Sequence, residues 1–250
     1  MNNTVKVTAT IVLYREDYAP LKKTIDSFLN TPISKKLFLI DNSPNQDLKN
    51  SFIHSEIEYI FVGNNIGFGK AHNLVLNKIN SHYHLILNPD VSFNANVIPA
   101  LIQKFNSSLD IAFITPKVTY QNKQLQYVSR KHPTFLDLLN RKVKFSKNQI
   151  KKNEYQDKDL EKEFFPDFIQ GCFMFFKTKE FKQLQGFDER YFLYMEDADI
   201  CRKVEKSGKK ILYYPTETVI HQHQQGSSKS IKLFFTHAAS AIKYFLKWGF

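Results

Sequence analysis

The residues Val7-Thr-Ala-Thr-Ile-Val-Leu-Tyr14 form an almost uninterrupted run of apolar and β-branched side chains. Such a run is typical of a strand that is buried on both faces, as the strands of a parallel sheet are. Pro20 follows it and opens a helical pattern, with Leu21, Ile25 and Phe28 on one face. A buried strand followed directly by an amphipathic helix predicts the first unit of an α/β fold.

The same alternation continues through the first hundred residues. Short apolar runs that predict strands occupy residues 37–40, 57–62 and 84–87, and helical patterns begin near Lys70 and Asn96. Polar turns separate these elements, and no internal repeat is present. The pattern predicts a mostly parallel, Rossmann-like sheet with helices on both faces.

Beyond residue 110 the alternation is less regular. The sequence predicts strands over 111–120, 125–129, 168–176 and 210–214, and helices over 135–139 and 231–250. The basic stretch that extends to about Lys162 is predicted to be a mobile loop. Gly171 interrupts an otherwise apolar strand, and such a glycine often marks a bulge or the close approach of a ligand.

The net charge of +11 is compatible with binding to nucleic acid, to an anionic membrane or to an anionic substrate. The excess lies mainly in residues 141–152, which contain no acid, and in the basic and aromatic residues 229–247. A nucleic-acid-binding module is the rival interpretation, but the sequence has neither a helix-turn-helix nor a zinc-binding pattern. We therefore predict no nucleic-acid partner.

The cysteines and the N-terminus bear on the cellular compartment. Cys172 and Cys201 lack the spacing of a metal site and do not suggest a disulfide framework, which favours a reducing compartment. The N-terminus has no signal-peptide pattern, and no apolar run approaches the length of a membrane span. We expect a cytoplasmic protein.

Polar residues follow the predicted strands at their carboxyl ends. They are Tyr14-Arg15, Asp41-Asn42-Ser43, the loop 63–69 and Asn88-Pro89-Asp90. Taken singly, each is an ordinary turn. Together they would lie along one edge of the sheet, where α/β proteins bind ligands, and their side chains suit a ribose, a base or a metal.

The glycines of the loop Gly67-Phe68-Gly69 would let backbone approach a ligand closely, and a helix N-terminus behind them favours an anion. The dinucleotide-binding fingerprint is excluded because His72 stands where its third glycine would fall. The lysine-serine pair of a phosphate-binding loop is also missing.

A second polar cluster lies within the segment 186–208. Glu196, Asp197 and Asp199 precede an amphipathic pattern and would complement the positive end of a helix. The apolar and aromatic residues before them, among them Tyr194 and Met195, would also desolvate an enclosed carboxylate. Desolvation raises the pKa of a carboxylate and makes it a useful base near neutral pH.

Two histidines follow the strand over 210–214. His221 and His223 would point to the same face of an extended chain, and either is more often a structural group than a ligand. If Asp90 holds a divalent cation, one of them is the natural further ligand.

The predicted C-terminal helix combines apolar and basic residues. Its apolar residues are Leu233, Phe234, Ile242, Phe245 and Leu246, and Lys232, Lys243 and Lys247 accompany Tyr244 and Trp248. The composition indicates an interfacial helix, while a terminal helix docked on the core is the alternative. The two interpretations are compatible.

Motifs along nearly the whole chain occur in the order expected of one family. They are Tyr14, Asp41-Asn42-Ser43, Asn64–Gly69 with Asn73, Leu87-Asn88-Pro89-Asp90, Gly171–Met174, Gly186-Phe187-Asp188, Tyr194–Asp199 and His221. The sequence resembles the family-2 inverting glycosyltransferases, in particular the bacterial rhamnosyltransferase branch that builds O-antigen, lipopolysaccharide and other surface polysaccharides. The resemblance implies a GT-A fold in one continuous domain. Residues 1–110 would bind the nucleotide sugar, 111–228 would bind the acceptor and catalyse transfer, and 229–250 would form a basic amphipathic helix.

The resemblance also implies roles for individual residues. Asp197 would be the catalytic base with Glu196 as a supporting carboxylate, and Asp90 and His221 would hold Mg²⁺ or Mn²⁺. The residues implied to bind the nucleotide are Tyr14, Arg15, Asp41, Asn42, Asn65, Gly67, Phe68, Gly69, Asn73 and Asn88. Gly171, Cys172 and Tyr194 would lie on the side of the acceptor or the donor sugar. Asn88 replaces the first acid of the family's Asp-x-Asp motif, as is common in this branch, and the lost charge bears on the strength of metal binding.

The implied reaction moves L-rhamnose from dTDP-β-L-rhamnose to a glycan on a polyprenyl diphosphate at the inner face of the cell membrane. The basic segment and the C-terminal helix would bring the enzyme to anionic lipid. A UDP-hexose donor and a catalytically inactive assembly partner are the alternatives, and a homodimer is left open.

Overall fold

The computed structural model describes residues 6–143, 146–222 and 231–249. The strands are β1 Val7–Leu13, β2 Lys35–Asp41, β3 Ile57–Phe61, β4 Tyr83–Leu87, β5 Val91–Phe93, β6 Ile111–Thr119, β7 Ser129–Arg130, β8 Phe168–Ile169, β9 Phe173–Lys177 and β10 Lys210–His221. The helices are α1 Tyr18–Leu29, α2 Phe68–Asn73, α3 Val97–Asn106, α4 Phe135–Val143, α5 Lys147–Asn153, α6 Thr178–Gln183, α7 Glu196–Lys206 and α8 Ile231–Trp248.

One sheet organises these elements, in the strand order β3-β2-β1-β4-β9-β6-β10-β5. Neighbours pair in parallel from β3 to β4 and between β6 and β10, whereas β9 and β5 run antiparallel to the strands beside them. The mostly parallel sheet predicted from the sequence is confirmed. Because the sheet joins strands from both sides of residue 110, the proposed halves share one framework.

Apolar side chains cover both faces of the sheet. Along β1, Ile11 and Leu13 pack in a cluster with α1 and α3, while Val12 points into a second cluster formed with α2, α6, α7 and α8. The alternation follows from the two-residue period of a strand. Helices on both faces, as predicted, therefore leave the sheet edge as the place where polar side chains gather.

The strand directions bring separate parts of the chain to the same edge. Leu13 at the end of β1 is paired with Asp41 at the end of β2. β10 runs parallel to β6 and ends at His221, which is paired with Val91 of the antiparallel β5. The chain from β4 to β5 therefore passes His221, and this places Asp90 beside it.

Several element boundaries differ from the sequence prediction. The helix expected near 70–79 ends at Asn73, whose side chain bonds to the backbone of Phe187, and turns follow it. The strand predicted over 125–129 is reduced to a bridge at Leu125 and to β7.

The basic segment is not simply a loop, because it contains α5. The Ser146 side chain caps this helix by accepting a hydrogen bond from the Gln149 amide. A serine three residues before a glutamine is a helix-start signal that was overlooked. Within the described ranges, no helix is both long enough and apolar enough to span a membrane.

Candidate active site

A cavity of ≈ 460 Å³ opens at the carboxyl edge of the sheet. The loops after β1, β2, β3 and β4, the turn before β9, the loop into α7 and the end of β10 contribute its lining. Predicted site residues in this lining are Tyr14, Asn42, Asn65, Gly67, Phe68, Asn88, Asp90, Gly171, Cys172, Tyr194, Glu196, Asp197 and His221. The edge predicted from the strand ends is thus where the structure gathers these residues.

Two further predicted residues, Arg15 and Asp41, line a neighbouring cavity of ≈ 360 Å³. Asp41 is almost fully buried, and its carboxylate accepts hydrogen bonds from the Ser43 amide and from the Tyr59 hydroxyl. Glu16 lines both cavities, so the two spaces adjoin. A ligand with two parts can therefore extend from one cavity into the other.

Gly69 and Asn73 are not among the residues that line these two cavities. The Asn73 amide both donates to and accepts from the backbone of Phe187. A Cβ at Gly69 would lie 2.8 Å from the Phe187 Cβ. Through these two residues, the start of α2 packs against Phe187, in the segment before α7.

Gly67 lines the cavity, but its missing side chain serves protein packing. Its φ is +94°, and a Cβ there would lie 2.4 Å from the Phe192 carbonyl oxygen. The same carbonyl accepts a hydrogen bond from the Phe68 amide at 3.0 Å. The sequence predicts that the backbone at Gly67 approaches a ligand closely. In the structure it lies close to the Phe192 backbone.

The carboxylate pair begins α7. Asp197 accepts hydrogen bonds from the Ala198 amide at 2.8 Å and from the Gly171 amide at 3.2 Å. Gly171 stands where a Cβ would lie 3.3 Å from the Asp197 Cβ, so the interruption of the predicted strand lets the chain reach this carboxylate. The two amides orient Asp197 toward the cavity.

The two carboxyl groups differ in their surroundings. Burial and the adjacent Asp197 charge raise the pKa of Glu196, and Glu196 Oε2 has no hydrogen-bond partner among the described residues. Burial also raises the pKa of Asp197, but the two amide donors and the positive charge of Arg130 oppose that rise. Glu196 therefore holds its proton to a higher pH than Asp197 does, and Asp197 is the first of the two to ionise.

The loop before this pair is strained. Tyr194 and Met195 have φ of 69° and 70°, in the left-handed region that residues with bulky side chains rarely adopt. α8 supports the loop, since the Ser240 hydroxyl donates to the Leu193 carbonyl at 2.9 Å and His237 packs on the Tyr194 ring. The strained turn carries Tyr194 to the cavity and starts α7 at Glu196.

Asp90 and His221 form the second polar pair, with His221 Nε2 3.3 Å from Asp90 Oδ1. Gln126, which the sequence analysis missed, fixes the imidazole. Its amide nitrogen donates to the His221 carbonyl at 2.6 Å, so its oxygen faces His221 Nδ1 at 2.9 Å and must accept a hydrogen bond from the Nδ1–H group. Nε2 is therefore the ring nitrogen that faces Asp90.

The charge of His221 depends on opposing effects. Burial lowers the pKa of His221, but the neighbouring Cys172 and Asp90 outweigh burial and raise it to about 10. A protonated His221 is thus ion-paired with Asp90, and Nε2 would release its proton to bind a metal.

Among the described residues, Asp90 and His221 alone would not complete the coordination of a metal ion. The described residues contain no group of three His, Cys, Asp or Glu side chains that could hold a metal ion. His223, the other candidate, lies outside the described residues. A carboxylate oxygen and an imidazole nitrogen still fit a divalent cation whose remaining ligands are water and phosphate oxygens, as is usual for Mg²⁺.

Glu16 is another residue that sequence reasoning missed. It follows Tyr14-Arg15 at the end of β1, and its position at a strand end is the signal that could have found it. Burial, together with the charges of Asp90, Asp17 and Asp41, raises the pKa of Glu16 to about 7.

The mostly parallel sheet, with helices on both faces and the cavity at its carboxyl edge, has the architecture of the GT-A fold. The structural neighbours support the fold: GalNAc-T7 with UDP, GalNAc and Mn²⁺ aligns with a TM-score of 0.68 and 15% identity over 88% of this chain and 44% of its own. The mannosyltransferase PcManGT from Pyrobaculum calidifontis, with GDP-Man and Mn²⁺, aligns with a TM-score of 0.64 and 13% identity over 97% of this chain and 63% of its own.

The chain belongs to the family described as Glycosyltransferase like family 2, whose model matches residues 6–237. Rhamnosyltransferase WbbL of Escherichia coli K12 is 28% identical over 92% of this chain and 88% of its own length. The N-acetylglucosaminyl-diphospho-decaprenol L-rhamnosyltransferase of Mycobacterium tuberculosis H37Rv is 23% identical over 76% of this chain and 67% of its own. The family resemblance and the enzyme class predicted from the motifs are confirmed.

Proposed function

We propose that the enzyme transfers L-rhamnose from a dTDP-activated donor to a hydroxyl group of a lipid-linked surface glycan, with inversion at the anomeric carbon. The observation that carries this proposal is that two polar pairs, Glu196 with Asp197 and Asp90 with His221, line the same cavity. One pair suits proton transfer and the other suits a diphosphate and its cation.

Asp197 is the proposed base. The acceptor oxygen attacks the anomeric carbon, its proton passes to Asp197, and the bond from that carbon to the diphosphate oxygen breaks. A single displacement of this kind inverts the anomeric configuration. Desolvation of Asp197 suits it to the role, because a base works best when its pKa is near the operating pH.

The diphosphate of the donor would lie near Asp90 and His221. A Mg²⁺ or Mn²⁺ held there by Asp90 and His221 Nε2 would neutralise charge on the leaving group. Asn88 lines the cavity beside them as a neutral amide. The adjoining cavity with Asp41, Ser43 and Arg15 is the proposed position of the nucleobase.

The names of the relatives support the proposed sugar and acceptor. Two of them are named rhamnosyltransferases, and the mycobacterial enzyme is named for a decaprenol diphosphate acceptor. We infer a dTDP-rhamnose donor, a polyprenyl diphosphate acceptor and peripheral attachment to the inner face of the cell membrane. Surface-polysaccharide synthesis, including O-antigen, is the process that such a product would enter.

A UDP-hexose donor is the second candidate. It is favoured by the Haloferax volcanii hexosyltransferase Agl10, which is 25% identical over 73% of this chain and 57% of its own length. The acceptor sugar and the base would keep the same roles with this donor.

A thermal-shift panel of dTDP, UDP, GDP and CDP, each with and without Mn²⁺ or Mg²⁺, tests the donor. A ligand that binds only the folded state raises the melting temperature, so we expect the largest metal-dependent rise with dTDP. A rise in melting temperature with UDP alone would indicate a UDP-hexose donor instead. The absence of any rise would favour a catalytically inactive assembly partner.

Asp197→Asn tests the mechanism. Loss of the base is expected to reduce transfer by a factor of about 10² to 10⁴, because general base catalysis contributes that much. Nucleotide binding should remain, and Glu189→Gln, on the exposed part of the same loop, is the matched control. Transfer at the original rate by Asp197→Asn would refute the assignment.

A further inference from the structure

The outward face of α8 is apolar. Ile231, Phe235, Ile242 and Leu246 recur at i, i+4, i+11 and i+15, which places them on one side of a helix. They are 78%, 65%, 60% and 75% exposed. A surface helix normally turns its charged side to solvent, so this set, here named the α8 stripe, is the reverse of the usual arrangement.

The opposite face of α8 is already occupied. Ser240 and Tyr244 are buried against the body of the molecule, and Phe245, which lies between them and the α8 stripe, is buried as well. The Tyr244 hydroxyl accepts a hydrogen bond from Arg202 of α7, and Lys247 reaches Asp188 and Asp199. These contacts fix the rotation of the helix, so the α8 stripe cannot turn inward.

The apolar surface extends from α8 to α4. Phe135 at the start of α4 contacts Phe245, with ring centroids 6.2 Å apart, and Phe135 itself is 55% exposed. Leu136 beside it is also largely exposed. Contiguous exposed apolar surface of this kind marks an interaction site more often than scattered single residues do.

Positive charge surrounds this surface. Lys232 and Lys243 lie along one flank of the α8 stripe and are exposed, and the sequence has no acidic residue after Glu217. α5, which packs against α4, adds the exposed Lys147, Lys151 and Lys152. Apolar side chains bordered by lysines match the boundary between acyl chains and anionic headgroups of a bilayer.

We propose that the α8 stripe and the apolar start of α4 dock the enzyme on an anionic lipid bilayer. The inference deepens the proposed function and rests on it for its purpose, since a lipid-linked acceptor would be presented at that surface. A second copy of the chain is a poorer occupant, because symmetric pairing would bring the flanking lysines of both copies together. A stable dimer also engages roughly 20–30 residues on each side, more than this surface offers.

The first test uses the unaltered protein. It should co-sediment with vesicles of phosphatidylcholine and phosphatidylglycerol, bind much less to phosphatidylcholine alone, and be partly released by high salt, which screens the lysines. Failure to bind anionic vesicles would overturn the proposal.

Variants then locate the surface. Phe235→Gln with Leu246→Gln should weaken binding to anionic vesicles by about tenfold or more, since each loses the burial of a large apolar side chain. Ile53→Gln with Leu109→Gln, which replaces equally exposed apolar residues elsewhere, should bind as the unaltered protein does. Equal weakening by both pairs would refute the assignment to α8, and circular dichroism checks that each variant is folded.

The outcomes separate this proposal from the proposed function. Vesicle binding needs neither nucleotide nor acceptor, so loss of rhamnosyl transfer with vesicle binding intact would leave the docking surface standing. Light scattering during gel filtration tests whether a second copy of the chain occupies the surface instead. A dimer that Phe235→Gln with Leu246→Gln converts to a monomer, without vesicle binding by the original protein, would assign the surface to a second copy instead.

Discussion

At the scale of single residues, adjacent carboxyl groups in α7 differ in how readily they ionise. Burial and the neighbouring Asp197 charge raise the pKa of Glu196, whereas two backbone amides stabilise the ionised form of Asp197. A protonated Glu196 can be replaced by glutamine, which has the same shape and the same charge. Glu196→Gln should therefore reduce the rate of transfer less than Asp197→Asn does.

We accordingly predict that Glu196→Gln reduces transfer by less than about tenfold, against the 10² to 10⁴ expected when a general base is lost. The acid limb of the pH–rate profile should stay in place, because that limb reports ionisation of Asp197. Steady-state rates across the pH range provide the measurement. A loss as large as that of Asp197→Asn would make Glu196 the base.

Gln126 acts at the same scale on the proposed metal site. Its amide oxygen accepts a hydrogen bond from His221 Nδ1–H, so that Nε2 faces Asp90. We predict that Gln126→Leu weakens Mn²⁺ binding by about 10- to 100-fold, the usual effect of losing a partner of a metal-bound histidine. Mn²⁺ titration followed by electron paramagnetic resonance measures this directly. Gln124→Leu, at an exposed position nearby in sequence, should leave Mn²⁺ binding unchanged. If Gln126→Leu binds Mn²⁺ as tightly as Gln124→Leu does, the role of Gln126 is refuted.

At the scale of elements, the segment between α6 and α7 is held by α2 and α8. Asn73 of α2 binds the backbone of Phe187, and Lys247 and Trp248 of α8 both donate to Asp199 Oδ1, at 2.6 and 2.8 Å. Asp199 is fully buried. The start of α7, with the proposed base Asp197, is therefore positioned by elements that are far apart in the chain.

Lys247→Met should destabilise the fold by about 3 kcal/mol, because removing one partner of a buried ion pair leaves the other charge uncompensated. Urea denaturation measures the change. Lys232→Met, at the exposed start of the same helix, is the matched control and should change stability by less than about 0.5 kcal/mol. Equal stability of the two variants would show that Asp199 does not depend on Lys247.

Gly67→Ala should also destabilise, by about 2–4 kcal/mol, since it combines strain at positive φ with a collision against the Phe192 carbonyl. Gly208→Ala is the control, because φ there is also positive, at +74°, but the added Cβ would have open space around it. That variant should lose only about 1 kcal/mol. Thermal or urea unfolding distinguishes the two, and similar losses would rule out the collision.

At the scale of the whole molecule, buried imidazoles make stability depend on pH. Burial lowers the pKa of His84 to about 3 and that of His72 well below 6.5. Both take up a proton in the unfolded chain before they do so in the folded one. Their contribution to stability is therefore complete above pH 6.5 and is lost as the pH falls toward the folded-state values.

His72→Leu tests this. Neither ring nitrogen of His72 has a hydrogen-bond partner among the residues that the structure describes, so the variant should gain about 1–2 kcal/mol at pH 7. Below pH 6.5, the free energy of unfolding of the variant should fall by about 1.4 kcal/mol less per pH unit than that of the unaltered protein, because one titrating group has been removed. Urea unfolding at pH 7 and pH 5 measures both, and an unchanged slope would contradict the buried neutral state.

Local pattern was enough to predict the sheet, the helices on its faces and the edge where the site lies. Strand ends such as Asn88–Asp90 reach the cavity because parallel strands finish at one edge. Contacts between distant segments could not be predicted from the sequence. Gly69 and Asn73 pack against Phe187, and Gln126 bonds to His221, which is 95 positions away in sequence. Those partners are chosen by the tertiary structure, so no spacing within the chain indicates them.

The attachment of α8 to the segment before α7 has a consequence for synthesis. The ribosome makes the chain from its N-terminus at roughly 5–20 residues per second. The sheet edge, the carboxylates and the end of β10 all leave the ribosome before α8, which supplies Ser240, Lys247 and Trp248. A nascent chain therefore gains the contacts that hold the start of α7, and its apolar outer helix, in one step, after the sheet edge and the carboxylates have already been made.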